Sequence, residues 1–519
     1  MENTIGADQS SAAREISAGY ATDGAALELG TVVVDGVVDP SARVRIPFAT
    51  LNRHGLVAGA TGTGKTKTLQ GIAEQLSDAG VPVFLADIKG DLSGMSRPGE
   101  PGPKIEQRSR ETGDDWVATA YPVDFMSLGG GSSAVPIRAT LTQFGPILLS
   151  KVLDLNETQE STLGLIFHWA DQRGLPLLDT KDLRAVIQHL TSSEGKADLK
   201  GIGGVSSATA GVILRALVNL EAQGGEAFFG EPEFEPADLL RQVDGKGVVT
   251  LLELSDQAAN PRLYSTFLMW LLAELFEDLP EAGDLDKPKL VFFFDEAHLL
   301  FTDASKAFLE RIEQTVKLIR SKGVGVFFCT QLPTDIPNDV LSQLGARVQH
   351  ALRAFTPDDQ AALAKTVRTY PNTKTYDVEE ALTSLGIGEA IVTVLSERGA
   401  PTPVAWARMR APRSLMAAIG DDAVTAAAKA SPLYAKYGQT VDRESAYERL
   451  TAKIAEPPPL PASADVLPPV YEPPPRRERE EPNMVEDVLA SPVVKSFLRS
   501  AASALGREIT RGMFGTRRR

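Results

Sequence analysis

Residues 59–66 read GATGTGKT and follow the spacing G-x-x-x-x-G-K-T. They stand between an apolar run, HGLVAG, and a segment of helical period, KTLQGIAEQLSDAG. A loop of this kind turns its backbone N–H groups toward phosphate at the positive end of the helix that follows. The expected cradle comprises Gly59, Ala60, Thr61, Gly62, Thr63, Gly64, Lys65, Thr66 and Lys67. Gly62 and Gly64 allow the tight turn and close approach. Lys65 would reach the β- and γ-phosphates, and the Thr66 hydroxyl would bind Mg²⁺.

KLVFFFDEAHLL, 289–300, supplies a second chemical group: an apolar strand that ends in two carboxylates. Such charges are costly at the end of a buried strand unless a metal or partner compensates them. Asp295 would hold the Mg²⁺ shell with Thr66, and Glu296 would orient or deprotonate an attacking water. A scaffold that only binds nucleotide has no need of Glu296, so the pair points to turnover. The next strand, GVGVFFCT, ends in Thr330-Gln331, where Gln331 can sense the γ-phosphate or hold the water. No N-K-x-D guanine signature occurs, which leaves ATP as the expected nucleotide.

Positioning these groups requires an α/β scaffold. Short apolar runs at 54–59, 81–87, 116–123, 247–254, 289–295, 323–330, 347–353 and 390–395 alternate with helical segments. That alternation predicts an α/β domain with a mostly parallel sheet, and together with the P-loop it resembles a RecA-like P-loop NTPase core. Around it the sequence predicts a short N-terminal β-hairpin within 1–50, turning at Asp39-Pro40, and a helical insertion over 136–244. The core is thereby divided into 51–135 and 245–410. A helical region over 411–455 leads to a proline-rich linker, 456–482, that cannot form a packed core. The final segment, 483–519, has helical period and carries seven Lys/Arg against three Asp/Glu. It reads as a basic amphipathic tail for docking, self-association or nucleic-acid contact.

Composition excludes several classes. Of 519 residues, 43% are hydrophobic and 23% charged, ordinary values for a globular chain able to bury a sizeable core. A net charge of −15 is incompatible with a uniformly basic surface, although a channel needs positive charge only where a strand passes. Cys329, the single cysteine, rules out an internal disulfide framework and a cysteine zinc site. The five histidines lack metal-ligand spacing, leaving Mg²⁺ as the inferred metal. No signal peptide or long unbroken apolar run is visible, so a cytoplasmic protein with no membrane association is expected.

The letters D-E-A-H at 295–298 also occur in two-lobed helicases, whose second lobe brings arginines in a Q-x-x-G-R-x-x-R motif. Nothing after residue 331 matches that motif, and the nearest string, GARVQHALR, has the wrong spacing. A single lobe implies that a neighbouring subunit completes the site. Arg320 leads the candidates, ahead of Arg347 and Arg353, because it precedes the strand that ends in Gln331. DIKGDLSG places Asp87, Lys89, Gly90 and Asp91 in another loop at the ligand-binding edge, as a phosphate contact or as a capped turn.

Taken together, HGLVAGATGTGKT, LADIKGDLSG, FFFDEAHLLF, IRSKGVGVFFCTQLPTDIPNDVLSQLGARVQH and FTPDDQ resemble the HerA/FtsK group of hexameric P-loop ATPases. FGPILLSKVLDLNETQ and GREITRGMFG are similar to the bacterial YjgR-like proteins, whose core is a HerA-like helicase C-terminal domain. The resemblance covers roughly 30–519. It implies a homo-oligomeric, hexameric ring with sites at subunit interfaces, Lys65 and Thr66 as the P-loop pair, Asp295 and Glu296 as the Walker B pair, Gln331 as sensor and Arg320 as interfacial arginine. It further implies DNA translocation, with a protein substrate or an ATP-gated assembly platform as alternatives. Only about 50 residues precede the core, in place of the larger β-barrel by which HerA docks a nuclease, so a nuclease partner is not expected.

Overall fold

The computed structural model describes residues 11–129, 134–199, 203–254, 261–283, 285–302, 306–396 and 398–455. The expected proline-rich linker and basic tail lie outside them. The described chain divides into two compact units. The first takes the described residues within 1–139, 223–228 and 232–440, and the second those within 140–222, 229–231 and 441–455.

The first unit is built on one twelve-stranded sheet. Its strands are β1 (Ala26–Val34), β2 (Val37–Pro47), β3 (Gly55–Ala58), β4 (Val83–Asp87), β5 (Val123–Leu128) and β6 (Val135–Ile137). They continue as β7 (Val249–Glu253), β8 (Leu290–Phe294), β9 (Val324–Thr330), β10 (Ala346–Gln349), β11 (Glu389–Val394) and β12 (Ala405–Met409). The spatial order is β2-β1-β12-β11-β10-β3-β9-β8-β4-β7-β5-β6. From β10 to β6 every neighbour is parallel, whereas β11, β12, β1 and β2 pair antiparallel.

Parallel strands are covered on both faces, so they read as continuous apolar runs. β8 is the extreme case, LVFFF with every residue buried. Phe292 stacks on Phe84 of β4 at 4.4 Å between ring centroids, and Phe294 stacks on Phe328 of β9 at 5.4 Å. This aromatic ladder fixes the height at which β8 releases its two carboxylates. β3 lies between β9 and β10, so the loops after all three strands meet at one edge, where open α/β sheets bind ligands.

Two sequence expectations are corrected. The hairpin turns at Asp35-Gly36, where φ is +49° and +76°, and not at Asp39-Pro40. Pro40 lies inside β2, an edge strand that tolerates a missing donor. The run at 116–123 is almost wholly irregular: the strand is Val123–Leu128, and Val117 is 60% exposed. β6, only three residues long, and β12, AWARM, in which Arg408 breaks the apolar run, were not expected at all.

The second unit is helical. Its helices include Leu141–Val152, Glu157–Gln172, Thr180–Thr191, Ser207–Ala222 and Ala446–Ala455. The Asn156-Gln159 pair within LNETQ closes a capping box at one N-terminus, and Asp179-Asp182 closes another. Leu163, Ile166, Leu183, Val186, Ile187, Ile213 and Leu217 form its buried interior. Asp182 also accepts from Tyr447 N at 2.8 Å, which holds the last helix to the third.

Candidate nucleotide site

The P-loop leaves β3 at Gly59 and enters the helix Lys65–Asp78. Gly59, Gly62 and Gly64 adopt φ of +148°, +82° and +117°, which L side chains rarely reach. Gly59 has a packing reason as well, since a Cβ there would lie 2.6 Å from His350 Cβ. A Cβ on Gly62 would meet nothing within 4 Å, so this stretch of loop faces open space.

Lys65 Nζ donates to the Gly59 carbonyl and, at 3.4 Å, to that of Ala60. Burial lowers its pKa, while the charges of Glu296 and Asp295 act to raise it. The lysine therefore lies within the field of both carboxylates, 230 residues away in sequence. Thr66 is the second residue of the helix, and its neighbour Lys67 points elsewhere. Lys67 Nζ donates to Gln70 Oε1 at 3.2 Å and to Met416 O at 3.1 Å, bracing the helix against the 413–416 segment.

Asp295 and Glu296 follow β8 directly. Burial, aided by repulsion from Glu296, pushes the Asp295 carboxyl up to about 6. Its Oδ1 accepts from Glu296 N at 3.0 Å. Glu296 has φ +47°, a left-handed conformation that is strained for a residue with a side chain. Its Oε2 is buried without a hydrogen bond, 3.4 Å from His298 Nδ1. Ala297 N donates to Cys329 O at 2.8 Å, locking this turn to β9. Cys329 is fully buried, and burial raises its thiol pKa.

β9 ends beside the P-loop, with Gly59 N donating to Thr330 O at 3.2 Å. The Thr330 hydroxyl is committed to Asp335 Oδ2 at 2.8 Å. Gln331, the next residue, is exposed and is left as the polar group at that edge. Lys89 is exposed too, and its charge acts on both Lys65 and Asp295. Asp87 is the turn former of its loop: Lys89 N, Gly90 N and Leu92 N donate to its carboxylate at 3.2, 2.8 and 2.9 Å.

The arginines separate clearly. Arg320 precedes β9 and is exposed at the opposite edge of the sheet from its own P-loop, about 20 Å of strand away. Its near neighbour there is His54, which burial and then the Arg320 charge lower to about 4. Arg347 donates to Thr369 O at 3.2 Å. Arg353, by contrast, reaches its own P-loop and donates to Thr61 O at 3.2 Å.

Two supports were not read from the sequence. His350 is buried behind the loop, its Nδ1–H donating to Glu389 O at 2.8 Å and its Nε2 accepting from the Thr68 hydroxyl at 2.9 Å. Burial lowers it to about 4, so it is neutral at ordinary pH. Gly388 N donates to Thr63 O at 3.0 Å, and a Cβ on Gly388 would lie 2.9 Å from Arg108 Nη1. The only sequence signals were a histidine within the apolar run 347–353 and a G-I-G turn.

These residues fit ATP and Mg²⁺. The loop is a nest of glycines in positive φ, and the donor set of Thr66 hydroxyl and Asp295 carboxylate is all oxygen, as Mg²⁺ requires. Glu296 carries a buried oxygen with no hydrogen bond of its own.

The profile of the helicase HerA-like C-terminal family matches residues 34–519. The DNA double-strand break repair helicase HerA of Sulfurisphaera tokodaii is 21% identical over 368 residues, 70% of this chain and 66% of the relative. The chain thus spans just under two thirds of that relative's length. The plasmid coupling protein TrwB in complex with ADP and Mg²⁺ aligns at a TM-score of 0.50 with 16% identity, covering 78% of this chain and 93% of TrwB. A trigonal form of TrwB in complex with sulphate gives 0.50 and 15%, over 78% and 94%. The likeness to TrwB is one of fold. With its P-loop, paired carboxylates and matching profile, the chain belongs to the helicase HerA-like C-terminal family of P-loop ATPases.

Proposed function

We propose that the protein hydrolyses ATP as a homo-oligomeric ring, hexameric as its family resemblance implies, and couples hydrolysis to movement of DNA. The observation that carries hydrolysis is Glu296. It sits beside the metal-binding carboxylate in a strained backbone conformation, with one carboxylate oxygen buried and unbonded. The carboxylate thus keeps an accepting oxygen uncommitted to any hydrogen bond, which a general base needs in order to take a proton from water. Gly59–Thr66 and Lys65 hold the phosphates, Thr66 and Asp295 hold Mg²⁺, and Gln331 senses the γ-phosphate. Bound Mg²⁺ would neutralise charge on the β- and γ-oxygens.

Ring formation is supported by the position of Arg320, exposed at the sheet edge remote from its own P-loop. There it is free to act on a neighbour's nucleotide, where a trans arginine is worth about 10³–10⁵ in rate. DNA as substrate is supported by family membership and by the relative named as a DNA repair helicase. The test is ATP turnover and native mass with and without double-stranded DNA. Turnover in a ring that neither binds DNA nor responds to it sinks the translocase reading. The net charge of −15 favours a polypeptide substrate in that event, with one stoichiometric partner captured independently of DNA.

A further inference from the structure

FTPDDQ, 355–360, has no role in the hydrolytic chemistry above. Among the described residues Phe355 is the most open large apolar side chain, 85% exposed. Its backbone is nevertheless fixed. Phe355 N and Thr356 N donate to Asp359 Oδ2 at 3.2 and 3.0 Å, and Asp359 N donates back to Thr356 Oγ1 at 3.1 Å. This capping box starts the helix Pro357–Val367.

The segment leading to Phe355 is tied to the P-loop twice, by Ala60 N donating to Ala351 O at 2.9 Å and by Arg353 on Thr61 O. Ile387, 75% exposed, immediately precedes Gly388, which donates to Thr63 O. Met416, 39% exposed, accepts from Lys67 through its carbonyl. Three open apolar residues from distant parts of the chain thus belong to three segments anchored on the same loop and the first turn of its helix. Scattered surface apolar residues need no explanation, but an aromatic ring 85% exposed on a segment bonded twice to a binding loop calls for one.

We propose that Phe355 is the platform on which the base of the bound nucleoside triphosphate stacks. The proposal rests on the reading of 59–66 as the triphosphate cradle. Asp295, Glu296 and Gln331 approach that cradle from β8 and β9, so the γ-phosphate end faces them. The ribose and base then leave on the other flank of β3, which is β10, and β10 leads into the 351–355 segment. A base presents apolar π faces, and an aromatic ring held by a capping box stacks on them at little entropic cost.

The test measures binding of ATP and of inorganic tripolyphosphate, which has no base, to the full chain. Phe355→Ala is expected to weaken ATP about 10- to 100-fold. Tripolyphosphate binding should stay within about twofold, and Phe355→Tyr should keep ATP affinity. Because Phe355 is exposed, the alanine variant should fold normally. Equal weakening of both ligands, or no loss for ATP, overturns the platform. So does loss of oligomer mass at unchanged ATP affinity, which would assign Phe355 to a subunit contact. Lys65→Ala separates the two readings: it should weaken both ligands, and if it weakens neither, the cradle itself is misassigned whatever Phe355 does.

Discussion

Replacing Glu296 by glycine is expected to stabilise the protein while abolishing its turnover. A left-handed conformation costs a residue with a Cβ about 1–2 kcal/mol, a cost that glycine removes. Glycine returns about 0.5–1 kcal/mol of that gain as extra backbone entropy in the unfolded chain. Removing a buried oxygen that has no hydrogen bond contributes about 1–3 kcal/mol, toward the lower end here because His298 Nδ1 lies 3.4 Å away. The net gain is about 1–3 kcal/mol, or an upward shift of about 1–4 °C in the thermal midpoint of a unit this large. Loss of a general base should cost about 10²–10⁴ in kcat. Glu296→Gln is the control, because it keeps the backbone strain and loses the base. Differential scanning fluorimetry and phosphate release, measured on the same nucleotide-free preparations, read the two effects. If glycine lowers the midpoint, or glutamine raises it as much, the strain argument is wrong. If either variant hydrolyses ATP at the normal rate, Glu296 is not the base.

Asp295→Asn tests the raised carboxyl beside it. With the folded pKa near 6 and above the unfolded value, the folded state binds the extra proton between the two, so this group's stability contribution falls as pH rises through that window. The midpoint of the asparagine variant should exceed wild type at pH 7–8, and the excess should shrink toward pH 4; an excess independent of pH would refute the assignment. His350→Ala leaves Glu389 O and the Thr68 hydroxyl without their partner and opens a cavity behind Gly59, a loss of about 2–4 kcal/mol. Urea unfolding should show that loss together with weaker nucleotide binding, and unchanged affinity would mean that the loop does not depend on the histidine. Gln331→Ala should lower kcat while stability stays within about 0.5 kcal/mol, because the side chain is exposed. An unchanged kcat would remove Gln331 from the mechanism.

The parallel half of the sheet was legible because burial on both faces imposes unbroken apolar runs, as in VFLAD and LVFFF. The P-loop was legible because its glycines answer to a local demand on φ. The hairpin turn was not. Asp39-Pro40 looks like a turn pair and drew the reading away from Asp35-Gly36, an Asp-Gly pair suited to a two-residue turn, where the pairing of Val34 with Val37 shows that the chain reverses. WVATAYPV misled because its apolar letters suggest a strand, whereas Trp116 Nε1 donates to Pro412 O at 2.7 Å and Thr119 N to Arg413 O at 2.9 Å in an irregular segment. His350 and Gly388 were out of reach for a different reason: Thr68 lies 282 residues from His350 and Thr63 lies 325 residues from Gly388, so no local pattern encodes them.

Those distant supports have a mechanical meaning. The loop is held on one side by the parallel strands that lead to Glu296 and Gln331, through Thr330 O and the Ala297–Cys329 bond. On the other side it is gripped from the antiparallel strands: Gly388 bonds Thr63, and its own carbonyl accepts from Met409 N at 3.0 Å and Arg108 Nη1 at 2.9 Å. Its helix is held a third time by Gln70, whose amide donates to Ser414 Oγ at 2.8 Å, and by Glu74, which accepts from Arg413 N at 2.8 Å and Ser414 N at 3.0 Å. Burial raises the Glu74 pKa, and those same hydrogen bonds lower it. Any shift of the loop on nucleotide binding must therefore strain β10–β12 and the 413–416 segment, since packed elements do not deform continuously.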